Sequence, residues 1–309
     1  MTIAPTVLVV GSLNMDQIFR LPRFPRPGET MLAPDVITAP GGKGANQAVA
    51  AARMGAGVRM VGCVGDDAFG GSLRQSLVAA GVEASGLRSL ADAPTGTALI
   101  MLVEGEDNSI VVAPGANDRV TVAALDAIDW SEVAVLLVQF EIPLEVTAEA
   151  MRRARAAGAT VILDPAPPRP CPPDLLALAH ILTPNETEAE ALAGRPVTDL
   201  ESAEQVGRIL LAGGEQRVIV KLGDQGALVC TDSGCRHWPA LPVPVLDTTA
   251  AGDAFCGALA AGLAAGAAFD QAMTTAMAAG ALAVTKLGAQ PSLPTRMEVE
   301  ELLRWGSGD

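Results

Sequence analysis

The stretch Asp247-Thr248-Thr249-Ala250-Ala251-Gly252-Asp253-Ala254-Phe255 sets two carboxylates around small residues that open into an alanine- and glycine-rich helix. Small side chains at a helix start leave backbone N–H groups uncovered, where the helix dipole places about +0.5 charge. Ala250, Ala251 and Gly252 therefore form a candidate anion cradle. Asp253, held beside it, can take a proton from a nucleophile while the cradle holds the developing charge. A carboxylate of ordinary pKa, near ~3.9, is ionised at neutral pH and ready for that task. The chemistry implied is phosphoryl transfer to an alcohol.

Five further segments carry polar groups where a ligand could meet them. Gly11-Ser12-Leu13-Asn14-Met15-Asp16 follows the first apolar run, and sites in open α/β sheets lie off the carboxyl ends of strands. Asn14 and Asp16 fall on one side of an extended chain, as a sugar handle or as an Asn/Asp turn. Gly41-Gly42-Lys43-Gly44-Ala45-Asn46-Gln47-Ala48 puts three glycines around Lys43 just before a helix. It is no Walker A loop, and Gln47 at the third glycine position excludes G-x-G-x-x-G. A ligand-gripping loop with Lys43 and Asn46 as contacts remains, beside a plain helix-capping turn. Asn185 and Glu188 share one face of a helix start, as a capping box or as a hydrated Mg2+ site. Lys221-Leu222-Gly223-Asp224-Gln225-Gly226 lies between two strands, as a hairpin turn or a nucleotide contact. Lys286-Leu287-Gly288-Ala289-Gln290-Pro291-Ser292 ends a helical region, where free carbonyls suit a monovalent cation or Gly288 is a simple C-cap.

These residues need a scaffold, and the apolar pattern supplies one. Short β-branched runs at Thr6–Val10, Val58–Val64, Val133–Phe140, Thr160–Leu163, Ile181–Thr183, Val218–Leu222 and Ala227–Cys230 read as buried strands. Helical segments fall between most of them: Ala45–Met54, Gly70–Ala80, Leu144–Ala157, Glu186–Ala193 and Ala203–Ala212. After Asp253 the chain reads as helical to about Thr285, with a break near Phe269. The alternation predicts an α/β sandwich with a mostly parallel sheet. Gln17–Pro40 and Gly96–Ala113 break it, and the second reads as a hairpin with its turn at Glu104–Asn108. Together they predict a small projecting β-sheet, whose apolar face needs a ligand or a second subunit to cover it.

Composition narrows the function. The 309-residue chain carries a formal charge of −14 with no basic run, which argues against nucleic acid as a partner. Aromatics make up 3% and Tyr is absent, so stacking platforms are scarce. No apolar stretch has transmembrane length and no leader pattern opens the chain, so no membrane partner is expected. Five Cys without a C-x-x-C pair are expected as free thiols in a reducing cytoplasm.

The motifs G-S-x-N-x-D, G-G-K-G-A-N-Q-A, N-E-T-E, D-T-T-A-A-G-D-x-F and K-x-G-A-Q-P-S, in this order over essentially the whole chain, resemble the ribokinase / phosphofructokinase B family of carbohydrate kinases. The resemblance implies one ribokinase-like domain over 1–309, a three-layer α/β sandwich with a mostly parallel central sheet. It implies a β-lid from about 12–39 and 96–113 that makes a homodimer contact. It implies transfer of a phosphoryl group from ATP to the 5-hydroxyl of D-ribose, with Mg2+ and activating K+. Asp253 matches the catalytic base, and Ala250, Ala251 and Gly252 match the anion hole. Asn14, Asp16, Gly42, Lys43, Asn46 and Glu141 match sugar contacts. Asn185, Lys221, Gly223, Asp224, Gly226 and Gly252 match nucleotide positions, and Asn185 and Glu188 the magnesium region. Asp247, Thr249, Ala283, Lys286, Gly288 and Ser292 match the potassium site, several through backbone oxygens.

Two other acceptor or function classes stand beside this reading. A deoxyribose, fructose or adenosine-like acceptor keeps the chemistry, but a nucleoside needs a stacking partner and the lid has only Phe19 and Phe24. A non-catalytic sugar sensor on the same fold would lack Asp253 or the cradle, and both are present.

Overall fold

The computed structural model describes residues 6–103, 109–211 and 216–306. The first part runs β1 (Thr6–Val10), β2 (Asn14–Leu21), β3 (Ile37–Gly41), α1 (Lys43–Arg53), β4 (Gly57–Gly65), α2 (Ala68–Ala79) and β5 (Val82–Leu90). Then come β6 (Gly96–Val103), β7 (Ser109–Ala113), β8 (Val133–Val138), α3 (Leu144–Ala156), β9 (Thr160–Leu163), α4 (Pro173–Leu176) and β10 (Ile181–Leu182). The last part holds α5 (Glu186–Ala193), α6 (Leu200–Leu210), β11 (Arg217–Lys221), β12 (Ala227–Thr231), β13 (Gly234–Trp238), α7 (Ala251–Ala264), α8 (Phe269–Ala283) and α9 (Arg296–Gly306).

Nine strands form the main sheet in the order β13-β12-β11-β10-β9-β8-β1-β4-β5. Pairing is parallel from β5 to β11 and antiparallel from β11 to β13. Helices cover both faces, so the central strands are apolar on both sides. In β1, Val7 and Val9 enter the core under α1, α7 and α8, while Leu8 and Val10 enter the one under α3, α5 and α6. This is why these strands read as unbroken apolar runs. The amphipathic α6 shows the helical counterpart: Ala203, Val206, Gly207 and Leu210 are its buried face.

The expected small sheet is present as β3-β2-β6-β7. Strand β2 pairs parallel with β6 and antiparallel with β3, and β6 pairs antiparallel with β7. Its inner face buries Ile18, Ala98 and Ile100. The turn expected at Glu104–Asn108, and Ala212 at the end of one expected helix, lie outside the described residues.

Four elements escaped the sequence pattern, the short α4 (Pro173–Leu176) in a proline-rich stretch among them. β5, Val-Glu-Ala-Ser-Gly-Leu-Arg-Ser-Leu, is an edge strand with polar residues between its few buried ones. β13 is an antiparallel edge strand largely open to solvent. α9 follows the last quoted motif and has a strongly charged outer face. The expectation of five free thiols is corrected as well. Antiparallel pairing of β12 with β13 sets Cys230 opposite Cys235, and the two form a disulfide with Cα atoms 4.1 Å apart. Cys63, Cys171 and Cys256 remain free. Among the described residues no helix is long and apolar enough to cross a membrane.

Candidate active site

Helix α7 begins in the way its small residues suggest. Ala250 caps it with φ 61 and ψ 10, a left-handed conformation rare for a residue with a Cβ. Asp247 holds the turn before it. Its Oδ1 accepts from the Thr249 N–H at 2.9 Å and from Thr249 Oγ1 at 2.6 Å, and its Oδ2 from the Gly288 N–H at 2.8 Å. The N–H groups of Leu246 and Asp247 donate to the Val284 carbonyl at 2.8 and 3.2 Å. The turn is thus tied to the end of α8. The N–H groups of Ala250, Gly252 and Asp253 meet no acceptor among the described residues. They are the uncapped donors of a helix N-terminus. The Lys221 ammonium stands beside them, 3.2 Å from where a Cβ on Gly252 would sit.

Asp253 is buried against helix α1. Its Oδ2 accepts from Asn46 Nδ2 at 2.9 Å and its Oδ1 from Gln47 Nε2 at 3.1 Å. The two helices meet closely because Gly257, one turn on from Asp253, has no side chain. A Cβ there would lie 2.5 Å from Ala50 Cβ and 2.8 Å from the Gln47 carbonyl oxygen. Burial pushes the Asp253 pKa up to about 6, against the opposing pull of Lys43 and the two amide donors. The expectation of an ordinary carboxylate is therefore corrected: desolvation of the charged form outweighs its partners.

The sugar-side residues converge on the same place. β2 carries Asn14 and Asp16 on one side, both buried. Asn117 clamps Asn14, its Nδ2 donating to Asn14 Oδ1 at 2.8 Å and to the Leu13 carbonyl at 3.1 Å. Glu141 Oε2 accepts from Ser12 Oγ at 2.5 Å, from the Lys43 N–H at 3.1 Å and from Asn14 Nδ2 at 3.5 Å. The Asp16 carboxylate lies over Gly41, where a Cβ would sit 2.0 Å from Oδ2. It has no donor among the described residues, and burial, then Glu141 and Asp253, push its pKa up to about 7. Gly42, at φ 89, starts α1, and a Cβ on it would meet the Asn14 nitrogen at 2.6 Å. Lys43 is held charged by Asp253, Asp164 and Glu141 in spite of its burial. Asn46 Oδ1 is buried without a partner. A buried acceptor of this kind is costly until a ligand donates to it.

The other segments meet around Lys221 and Asp164. Asn185 and Glu188 form a reciprocal capping box, each side chain bonding the other's N–H at 2.8 Å. Glu188 is buried, and burial raises its pKa while Lys221 opposes the rise. Only one of its oxygens has a donor among the described residues. The Lys221 N–H donates to the Pro184 carbonyl at 2.8 Å, so the Lys221–Gly226 turn adjoins Asn185. That turn is a hairpin, with Gly223 and Gly226 at φ 53 and 93, and Gly223 and Asp224 are exposed. Lys221 Nζ pairs with the buried Asp164 at 2.8 Å, and Asp164 also accepts from Gln47 Nε2 at 2.9 Å.

Of the residues expected near a monovalent cation, Asp247, Thr249 and Gly288 are in direct contact. The Ala283 carbonyl accepts from the Lys286 N–H at 3.3 Å. The Lys286 side chain turns to Glu298 at 2.6 Å, and Ser292 Oγ bonds the Ala289 carbonyl at 2.8 Å, so neither side chain joins Asp247.

Sequence reasoning passed over Ser12, Gln47, Asn117, Gln139 and Asp164 as site residues. Asp164 follows the carboxyl end of β9, where sites on parallel sheets gather, and could have been found that way. Asn117 lies in a short turn far from any motif, and nothing local marks it.

A buried carboxylate in the first turn of a helix with open N–H groups, on a parallel sheet with a small second sheet beside it, is an arrangement that fits a sugar kinase. The chain belongs to the pfkB family of carbohydrate kinases, whose model matches residues 4–296. It is 42% identical over 299 residues to the ribokinase of Bacillus subtilis, covering 96% of this chain and 99% of the relative. Its fold matches the ribokinase of Thermotoga maritima at TM-score 0.86 and 39% identity, over 97% of this chain and 99% of that one. It also matches an Arabidopsis thaliana ribokinase in complex with ribose and ATP, at TM-score 0.86 and 33% identity, over 97% and 99%.

Proposed function

We propose that this protein is an ATP-dependent ribokinase that phosphorylates the 5-hydroxyl of D-ribose, and that 1–309 acts as one kinase domain with the small sheet as its lid. The observation that carries the reading is the set of unmet acceptors around Asp253. Asn46 Oδ1 is buried without a donor, and the Asp16 carboxylate has none among the described residues. A polyol supplies several O–H donors at once, which a nucleobase does not. The relatives named ribokinase, and the one solved with ribose and ATP, support ribose as that polyol.

In this reading Asp16, Asn14 and Asn46 hold the sugar hydroxyls, with Gly42 and Gly41 leaving room for them. Lys43 adds a charged donor, and Glu141 fixes the loop from which it rises. Asp253 takes the proton of the attacking hydroxyl. The N–H groups of Ala250, Gly252 and Asp253, with Lys221, stabilise charge on the transferred phosphoryl group. Ala251 contributes by being too small to block them. Asn185 and the turn with Gly223, Asp224 and Gly226 line the nucleotide side.

The residues fit the two metal ions that the family implies. Glu188 is buried with one oxygen lacking a donor, which suits Mg2+ held through water beside Asn185. Bound there, Mg2+ would neutralise phosphate charge. Asp247 has carboxylate lone pairs left beyond its three donors, which suits K+ shared with backbone oxygens near Thr249, Ala283 and Gly288. A cytoplasmic location, where ATP is at hand, agrees with this role.

An ADP-release assay with ribose, deoxyribose, fructose and adenosine, each with K+ or a non-coordinating cation, tests the proposal. Turnover should be fastest on ribose with K+. Equal or faster turnover on another acceptor would reject ribose, and indifference to the cation would reject the potassium site.

A further inference from the structure

Three buried side chains of the site have no task in the mechanism above: Gln47, Gln139 and Asp164. They form one chain of hydrogen bonds that ends on the base. Gln47 Nε2 donates to Asp253 Oδ1 at 3.1 Å and to Asp164 Oδ2 at 2.9 Å. An amide nitrogen has two protons, and here each has its own carboxylate. Gln47 Oε1 accepts from Gln139 Nε2 at 2.6 Å. Both glutamines are fully buried.

The polarity of this chain follows from its ends. Ionised carboxylates only accept, so the end of Gln47 that faces two of them must be its NH2. A flipped Gln47 would set its carbonyl against both charges. Gln139 prevents the flip by presenting a donor to the carbonyl end. Gln139 does so at a cost, since its own Oε1 is buried without a donor. That oxygen lies over Gly11, where a Cβ would sit 2.1 Å from it. An unpaired buried acceptor on a side chain with so specific a neighbour calls for a reason.

The two oxygens of Asp253 are thereby divided. Oδ1 faces Gln47 and the interior. Oδ2 faces Asn46, whose own Oδ1 is buried and still lacks a donor. We propose that Gln47 is a positioning residue for the base, fixing the Asp253 carboxylate with Oδ2 toward the sugar and stabilising its ionised form, and that Gln139 sets the orientation of the Gln47 amide. The proposal rests on the sugar-kinase reading of Asp253.

The charges around Asp253 are Lys43 from α1, Asp16 from β2 and Asp164 beyond β9, while burial keeps the Cys256 thiol of its own helix neutral. Glu141 acts on Lys43 and Asp16, and Lys221 neutralises Asp164. Among the described residues Lys43 is the cation that acts directly on Asp253, so loss of the Gln47 donor should be felt in the Asp253 titration.

The test is Gln47→Met, which keeps the side-chain length and removes the donor. Two quantities are read: the kcat–pH profile with ribose and ATP, and the 13C titration of the Asp253 carboxyl in the free protein, assigned with Asp253→Asn. The acid limb and the carboxyl titration should both move up by about one pH unit, the size expected for loss of one hydrogen bond to a buried carboxylate. At pH 6 kcat should then fall ~5-fold, with the deficit shrinking as pH rises and KM for ribose within ~2-fold. Gln139→Met should move both quantities the same way by less, and it decides the matter alone if Gln47→Met does not fold. Unmoved limb and titration would overturn the proposal, even with a lower kcat, since a merely structural role lowers activity at every pH. If the wild type does not phosphorylate ribose, the functional reading fails, and the carboxyl titration still judges the Gln47 contact.

Discussion

Asp253 sits where its charged form is least welcome and most useful. Burial holds its pKa up to about 6, close enough to neutrality for a base to take a proton without binding it too tightly. In the proposed mechanism Asp253 works only when ionised, so kcat should fall as pH drops through about 6, by up to ~10-fold per pH unit below it. A pH–rate profile checks this, and Asp253→Asn should lower kcat by at least ~10²-fold at pH 8. Asp16 gives a second prediction, on stability. Its folded pKa, about 7, lies above its unfolded value of 3.8. The stability it contributes is full below the unfolded pKa and is lost as pH rises through about 7. Asp16→Asn removes that loss. In sugar-free protein it should raise Tm relative to wild type, more at pH 8 than at pH 5, while raising the ribose KM. A Tm gap that is flat with pH would reject the raised pKa.

At the scale of elements, the site depends on how closely α7 approaches α1. Gly257 allows that approach, and Asp253, four residues earlier, shares its helix face. Gly257→Ala sets a Cβ 2.5 Å from Ala50 Cβ and 2.8 Å from the Ala51 nitrogen. Overpacking should cost ~1–3 kcal/mol, of which helix propensity returns about 1 kcal/mol. Because the displaced face carries Asp253, kcat should fall further than ribose affinity does. Gly262→Ala is the control. Its Cβ would meet Ala272 of α8 at 3.0 Å, away from α1, so stability should change with little effect on kcat. Equal kcat losses in the two variants would show that helix packing in general, not this contact, positions the base.

For the whole molecule, the outer face of the small sheet is the open question. Leu99 of β6 and Val111 of β7, paired across the strands, are exposed on it, with Val111 at 60%, while Ile110 and Val112 are exposed beside the inner face. An apolar sheet face of this kind is a docking surface more often than bare surface. We propose that a second copy covers it. Val111→Asp should then shift the protein from dimer to monomer in sedimentation, and a wild-type monomer at micromolar concentration would reject the dimer. The acidic chain and the local site also fit together at this scale. With a formal charge of −14, the proposed reading has an anionic nucleotide held by local devices, the α7 N-terminus and Lys221, rather than by the overall field.

The sequence by itself determined the strands of the parallel core, because residues buried on both faces leave an unbroken apolar signal. It also determined the reaction type, because Asp253, the small-residue cradle and the two glycine loops need those residue types at those spacings. Edge strands β5 and β13 stayed hidden, since an edge mixes polar with apolar residues and leaves no clear period. The Cys230–Cys235 disulfide depended on a strand pairing that spacing does not specify. Only the tertiary structure decided how Asp253 titrates, since its pKa comes from burial against a helix some 200 residues away in the chain, with |i−j| of 207 to Asn46. The same holds for Gln47, Gln139 and Asp164. Gln47 and Gln139 carry no mark of their role in sequence, and Asp164 only its place after a strand; each becomes part of the site because packing brings its buried polar atoms to the others.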